Sequence, residues 1–145
     1  MAQFEKVIYT AKTRTSGGRD GTSRSSDGSL DVRLSSPGSQ LGGTNPEQLF
    51  AAGWSACFLS ALKQEAGRMN VMLPPDLAID AEVDLGVTGG AYGLAVRLNV
   101  HLRDVAPDVA RRLVDAAHEI CAYSRAVRGN VDPVINVIST RTPRT

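Results

Sequence analysis

Thr44-Asn45-Pro46-Glu47-Gln48-Leu49-Phe50-Ala51-Ala52-Gly53-Trp54-Ser55-Ala56-Cys57-Phe58 opens a stretch with no charge between Glu47 and Lys63. Leu49, Phe50, Gly53, Trp54, Cys57, Phe58, Ala61 and Leu62 recur at the spacing of one helical face. Thr44 or Asn45 can cap the start, Pro46 suits the first helical position, and Glu47 complements the positive end of the dipole. The opposite face, Ala51, Ala52, Ser55, Ala56 and Leu59, is small and mostly apolar. A helix this neutral all round belongs at the centre of the protein or of a dimer. Its length of about 20 residues would reach across a bilayer. The charges at both ends, and the Gly, Ser and Gln within, point to a core helix instead.

Working outward, the chain has 145 residues, the size of one domain with a genuine core, so 1–145 reads as a single domain. Its net charge of +1 comes from well-mixed acids and bases, which gives no case for nucleic acid or for an acidic membrane surface. Met1-Ala2-Gln3-Phe4-Glu5-Lys6 does not read as a secretory signal, so a cytoplasmic location is expected. Stable structural disulfides are uncommon there, which raises the weight of a catalytic role for the two cysteines, Cys57 and Cys121. Two Cys do not complete a structural zinc site, and His118 three residues before Cys121 adds little to a metal reading.

Residues 4–12 read as a strand carrying Phe4, Val7, Ile8 and Tyr9, followed by a glycine-rich loop at 15–21. Residues 22–26 and 30–35 form a hairpin turned at Asp27-Gly28. A linker with Pro37, Gly38, Gly42 and Gly43 leads to the neutral helix, which should fade near Gly67. After Pro74-Pro75 come two alternating strands, 77–88 and 91–103, joined at Gly89-Gly90. In the second, Leu94, Val96, Leu98, Val100 and Leu102 face one way and Arg97, Asn99, His101 and Arg103 the other. A second helix starts near Pro107 and buries Val109, Leu113, Ala116, Ala117, Ile120 and Cys121. A short turn at 124–128, a last strand from Val134 to Thr140 and a frayed tail at 142–145 complete the chain. The result is an α+β domain with antiparallel sheets packed on two helices.

A redox thiol needs a lowered pKa, access for its substrate and a second thiol to trap the oxidised product. Apolar surroundings alone would raise the pKa of Cys57, so a cation must offset them. Arg19, between Gly17-Gly18 and Gly21, is the best candidate, and Glu47 could orient its guanidinium. Each residue also has a plain structural reading: a packed thiol, a solvated Arg and a helix-dipole partner. His101 on the wet strand face and His118 at the edge of a helix stripe read as structural or exposed, which disfavours a Cys-His hydrolase.

The helix stretch 44–58 resembles the signature of the organic hydroperoxide resistance (Ohr) family within the Ohr/OsmC superfamily. Gly18-Arg19-Asp20-Gly21, Ser26-Asp27-Gly28, Leu41-Gly42-Gly43, Cys121-Ala122-Tyr123-Ser124 and Arg128-Gly129-Asn130 match in order and spacing. The resemblance implies the OsmC-like fold, an intertwined homodimer, and a thiol peroxidase that works without haem, metal or flavin. It assigns Cys57 as the peroxidatic thiol, Cys121 as the resolving thiol, and Arg19 and Glu47 as the activating pair. The implied substrates are organic hydroperoxides, with dihydrolipoamide or a lipoylated protein as reductant. The chain departs from the family pattern at Ala122, where Pro is usual, at Trp54, where Tyr is usual, and at Val127, where Thr is common. Two other readings remain open: an OsmC-like peroxidase of broader peroxide preference, and a redox-sensing module whose Cys pair switches without turnover.

Overall fold

The computed structural model describes residues 4–140, so the tail expected at 142–145 lies outside the described residues. The chain divides into two compact units, Met1–Pro46 and Glu47–Thr145. The class is α+β, with two three-stranded sheets and three α-helices among the described residues.

The first unit holds β1 (Thr13–Ser16), β2 (Thr22–Ser25) and β3 (Asp31–Arg33) in one antiparallel sheet. The expected hairpin at Asp27-Gly28 forms between β2 and β3. Asp27 Oδ1 accepts from the Ser29 N–H at 3.0 Å and from the Ser25 and Ser29 hydroxyls at 2.6 Å each. Those donors favour the carboxylate and hold its pKa at about 2. The strand expected over 4–12 is absent. Residues 4–12 are irregular, and the first strand begins at Thr13, where loop was expected from Thr15. Phe4, Val7, Ile8 and Tyr9 have β-favouring side chains, but they pair with no strand among the described residues and are exposed. A strand needs a neighbour's hydrogen bonds, and propensity does not supply one.

Between β1 and β2 the chain makes a tight 3-10 turn, Gly18–Asp20, which carries Arg19. Gly21 is obligatory here, since a Cβ on it would lie 1.7 Å from the Ser16 carbonyl oxygen. Asp20 Oδ1 fastens the turn by accepting from the Ser36 N–H and hydroxyl, both at 3.0 Å.

In the second unit, α1 runs without interruption over Pro46–Met69, two residues beyond the expected end at Gly67. Asn70, in the left-handed conformation with φ 55, terminates it, and the Val71 N–H returns to the Ala66 carbonyl at 2.9 Å. β4 (Ala78–Thr88) and β5 (Ala91–His101), eleven residues each, form an antiparallel hairpin turned at Gly89-Gly90. β6 (Val134–Ile138) lies on the other side of β5 and runs parallel to it, so this sheet is mixed where antiparallel pairing was expected. The α-helical crossover between β5 and β6 is long enough to return the chain in the same direction.

Val96, Leu98, Val100 and Leu102 are buried as the alternation requires. They pack with Trp54, Phe58, Leu62 and Ala66 of α1 and with Ala110, Leu113, Val114 and Ala117 of α2 (Pro107–Ile120). On the opposite face of the sheet Arg97 bridges Glu82 at 2.7 Å and Asp84 at 2.8 Å, and His101 Nε2 meets Asp80 at 2.7 Å. In the single chain Ala52, Ala56 and Ser60 are exposed along one side of α1.

Leu98 is fully enclosed at the middle of β5. Leu98→Ala should therefore lower stability by about 2–5 kcal/mol through lost burial and a residual cavity. Urea unfolding should show this as a lower midpoint with an unchanged slope.

Candidate functional site

The second helix stops one residue earlier than its apolar stripe suggests. Cys121 follows α2 with an extended backbone, φ −60 and ψ 125, and α3 (Ala122–Val127) starts immediately after it. The Cys121 N–H donates to the Ala117 carbonyl at 2.8 Å, and its own carbonyl accepts from the Arg125 N–H at 2.9 Å. Cys121 is therefore a junction between two helices rather than a member of a continuous one. The junction turns its side chain into the core, where 1% of its surface remains exposed.

Cys57 sits near the middle of α1 and is half-buried against the same core. Both thiols are free, and Cys57 neighbours Cys121 closely enough to influence its ionisation. Burial pushes the Cys121 thiol above its ordinary value, and the neighbouring Cys57 adds to the shift. The Ser124 N–H and hydroxyl oppose it. The sulfur makes no close capping bond to α3, yet these two dipoles lie near enough to favour its thiolate.

Ser124 is the residue that ties this corner together. It has no exposed surface, and its Oγ accepts from Trp54 Nε1 at 3.0 Å and meets His118 Nδ1 at 2.9 Å. One hydroxyl thus joins α1, α2 and α3. Trp54 is itself fully buried, and Phe50 meets its ring edge-on with centroids 5.5 Å apart. The His118 ring lies 6.3 Å from Phe58, and its main-chain carbonyl accepts from Arg128 Nη2 at 2.7 Å. Burial first, and the Arg128 charge second, hold the His118 pKa below its ordinary value, so the ring is neutral at pH 7. Tyr123 leans over Gly53, where an added Cβ would stand 2.7 Å from the phenolic oxygen. That close approach explains a glycine in the interior of α1.

The four residues singled out from the sequence are distributed as follows. Cys57 and Cys121 are brought together within the second unit. Glu47 lies in the first turn of α1, ten residues before Cys57 and therefore about 15 Å along the axis at 1.5 Å per residue. Arg19 belongs to the 3-10 turn of the first unit. Among the described residues no group of His, Cys, Asp and Glu is arranged to hold a metal ion. The Trp54–Ser124–His118 linkage was not foreseen, although His118, Cys121 and Ser124 recur at every third position and that spacing was available as a signal.

Residues 36–136 match the family model described as OsmC-like protein. The chain is also 43% identical over 141 residues to an organic hydroperoxide resistance protein of Xanthomonas axonopodis pv. citri, covering 94% of this chain and 99% of that one. It belongs to the OsmC-like family, among the organic hydroperoxide resistance proteins. The crystal structure of the family member OhrB of Bacillus subtilis superposes with a TM-score of 0.85 at 41% identity, covering 90% of this chain and 99% of that one. A putative organic hydroperoxide resistance protein of Vibrio cholerae, with captopril bound in one of its active sites, gives a TM-score of 0.86 at 38% identity, covering 93% and 95%.

The two thiols of this corner differ in exposure, and burial raises the pKa of Cys121, which predicts ordered labelling. Iodoacetamide at pH 8 should alkylate Cys57 well before Cys121, as read by peptide mass spectrometry. Equal rates would mean that Cys121 is neither as enclosed nor as hard to ionise as its surroundings imply.

Proposed function

We propose that this protein detoxifies organic hydroperoxides as a cysteine-based peroxidase, with Cys57 as the peroxidatic thiol and Cys121 as the resolving thiol. The observation that carries the reading is the adjacency of the two thiols, one half-open and one enclosed, in a chain of the organic hydroperoxide resistance family. Family membership supports the coarser statement, a peroxide-detoxifying role, and the geometry supports the roles of the two sulfurs.

In this mechanism the Cys57 thiolate attacks the distal peroxide oxygen, the O–O bond breaks, and the alkoxide leaves as the alcohol after taking a proton. Cys57 is then a sulfenic acid. Cys121 attacks its sulfur, the S–O bond breaks, water departs, and a Cys57–Cys121 disulfide forms. A dihydrolipoyl dithiol, free as dihydrolipoamide or carried on a lipoylated protein, reopens the pair by thiol–disulfide exchange. Arg19 and Glu47, the pair that the family resemblance assigns as activating, would favour the thiolate of the peroxidatic cysteine and the charge developing on the breaking bond. No cofactor enters these steps. Phe50 and Phe58 beside the thiol corner favour an alkyl over a hydrogen peroxide substrate.

The same reading includes one Ohr/OsmC-like domain over 1–145, working as a homodimer in the cytoplasm. Among the described residues no helix is long and apolar enough to cross a membrane. A second copy is supported by apolar surface that the single chain leaves open: the Ala52–Ala56–Ser60 side of α1, the hairpin tip with Val87 and Tyr92, and Ile8 and Tyr9. It also accounts for Glu47, which an uninterrupted helix carries about 15 Å away from Cys57 of the same chain. Antiparallel packing of α1 against its two-fold mate would bring Glu47 of one subunit toward Cys57 of the other.

Peroxide consumption with dihydrolipoamide as sole reductant tests the reading. Cumene hydroperoxide should be consumed catalytically and faster than hydrogen peroxide. Cys57→Ser should abolish turnover, while Cys121→Ser should allow one oxidation that stops at the Cys57 sulfenic acid. Full steady-state activity in Cys57→Ser would reject the assignment. Comparable turnover of both peroxides would favour a broader OsmC-like peroxidase, and consumption limited to one equivalent would favour a redox sensor.

Subunit mixing tests the composite site. Glu47→Ala and Cys57→Ser proteins, each inactive alone, should regain up to one working site per dimer when co-folded as heterodimers. Inactivity in verified heterodimers would return both residues to one chain's site.

A further inference from the structure

Cys121 lies at a break between two helices that the adjoining sequence does not enforce. Its φ of −60 is helical, and only ψ, at 125 instead of about −42, separates it from a residue inside a continuous helix. A proline at the next position would impose such a break. It has no N–H to give to the carbonyl four residues back, and its ring collides with that carbonyl if the helix continues. The next residue here is Ala122, the best of helix formers. Straightening at Cys121 would turn the Ala122, Tyr123 and Ser124 N–H groups onto the carbonyls of His118, Glu119 and Ile120 and merge α2 with α3. The bend is therefore held from outside the local sequence.

The carbonyl that matters is that of His118, the acceptor Ala122 would use. Arg128 Nη2 donates to it at 2.7 Å. Nη1 of the same guanidinium lies 3.6 Å from Glu119 Oε2, so a cation sits on the last turn of α2, where the helix dipole favours one. The chain is shaped to bring it there. α3 ends at Val127, and Arg128 leaves the helix at φ −57 and ψ 133. Gly129 then turns with φ 81, and its N–H donates to Asp132 Oδ1 at 2.8 Å.

We propose that Arg128 is a positioning residue for the resolving thiol: by occupying the His118 carbonyl it keeps the chain bent at Cys121, a restraint that residue 122 does not supply. The role given to Cys121 rests on the peroxidase reading above, whereas the bend does not depend on it.

Two bonds exist only in the bent form. In one continuous helix His118 and Arg128 would be about 15 Å apart along the axis, and His118 and Ser124 about 9 Å. Those separations exclude the bonds observed, Arg128 Nη2 to the His118 carbonyl at 2.7 Å and Ser124 Oγ with His118 Nδ1 at 2.9 Å. Ser124 also accepts from Trp54 Nε1 at 3.0 Å, and Tyr123 lies against Gly53, so the bend lays the start of α3 on α1. Ser124 closes the bend from the core side and the half-exposed Arg128 from the surface. Straightening would lift Tyr123 and Ser124 off α1 and open the core beside Cys121, which now keeps 1% of its surface exposed.

The chemical consequence falls on Cys57. Its sulfenic acid is resolved only by a thiol held beside it. With Cys121 displaced, the sulfenic sulfur attacks a second hydroperoxide, the O–O bond breaks, and sulfinic acid and alcohol form.

A pair of substitutions isolates the restraint. Arg128→Met removes the donors and the charge, and Ala122→Pro restores the break through the backbone. Position 122 accommodates the ring, because it opens α3, where proline is favoured, and Cys121 already has the extended ψ of a residue before proline. The reduced full-length protein is treated with iodoacetamide at pH 8, and Cys121 alkylation is followed by peptide mass spectrometry. In Arg128→Met it should accelerate about threefold to tenfold, the weight of one hydrogen bond on the population of straightened chain. Losing a positive charge does not make a thiol more reactive, so the gain reads exposure. Amide exchange in β5 should keep its wild-type rate, which separates local straightening from a loosened core. Adding Ala122→Pro to Arg128→Met should return Cys121 to the wild-type rate, and Arg128→Lys, which keeps a cationic donor, should fall between. Under excess cumene hydroperoxide, Arg128→Met should send a larger share of Cys57 to sulfinic acid, and the proline should reverse this as well. An unchanged Cys121 rate in Arg128→Met, or a gain that the proline leaves in place, would overturn the proposal. If the wild-type protein yields neither Cys57 sulfenic acid nor the disulfide, the peroxidase reading falls and Arg128 loses its part in resolution, while the alkylation rates still decide the bend.

Discussion

A single hydroxyl organises the corner of the protein where the two thiols meet. Ser124 is cut off from water, so its oxygen must find all its partners inside the protein, and it finds them on α1 and α2. Losing one partner of such a group costs about 1–3 kcal/mol. The positions of Trp54 and His118 are thereby coupled, and Cys121, three residues before Ser124, is placed by the same turn. Its backbone leaves the helical region at the junction so that the sulfur enters the core instead of continuing around α2. The pairing of Cys57 with Cys121 is a consequence of that break.

Burial sets the two sulfurs of the corner apart. Cys121 is deprived of water and neighbours another thiol, so it is held protonated until something removes its proton. In the peroxidase reading proposed above, such a thiol waits for an oxidised partner and does not compete for peroxide. Cys57, half-buried on a long helix, is the more open of the two. The wet face of the second sheet, with its Arg97 and His101 ion pairs, takes no part in this arrangement and keeps that surface solvated.

The structure also explains why α1 carries no charge between Glu47 and Lys63. One side fills the core through Trp54, Phe58 and Leu62, while the side marked by Ala52, Ala56 and Ser60 stays open in the single chain. Over this stretch charges are absent from both sides, which suits the second cover proposed above. The exposed apolar residues at the β4–β5 tip and at 4–9 are of the same kind, which is consistent with a second copy as the missing cover.

Much of this protein was legible in local sequence because the relevant physics is local. The 3.6-residue period of α1, the two-residue period of β5, and the turns at Asp27-Gly28 and Gly89-Gly90 all appear where the residues place them. The two Cys and the motif around Cys57 likewise pointed to the thiol corner. Three features needed the tertiary structure. Residues 4–12 carry strand propensity but form no strand among the described residues, and hydrogen-bonded pairing is not a property of one segment. β6 runs parallel to β5 because the long crossover, rather than its own residues, sets its direction. The helix break at Cys121 lacks the proline usual at position 122, so the apolar period runs through it unmarked. The Ser124 linkage was hidden for the same reason: hydroxyls are common, and only packing decides which one is removed from water and made to bond across three helices.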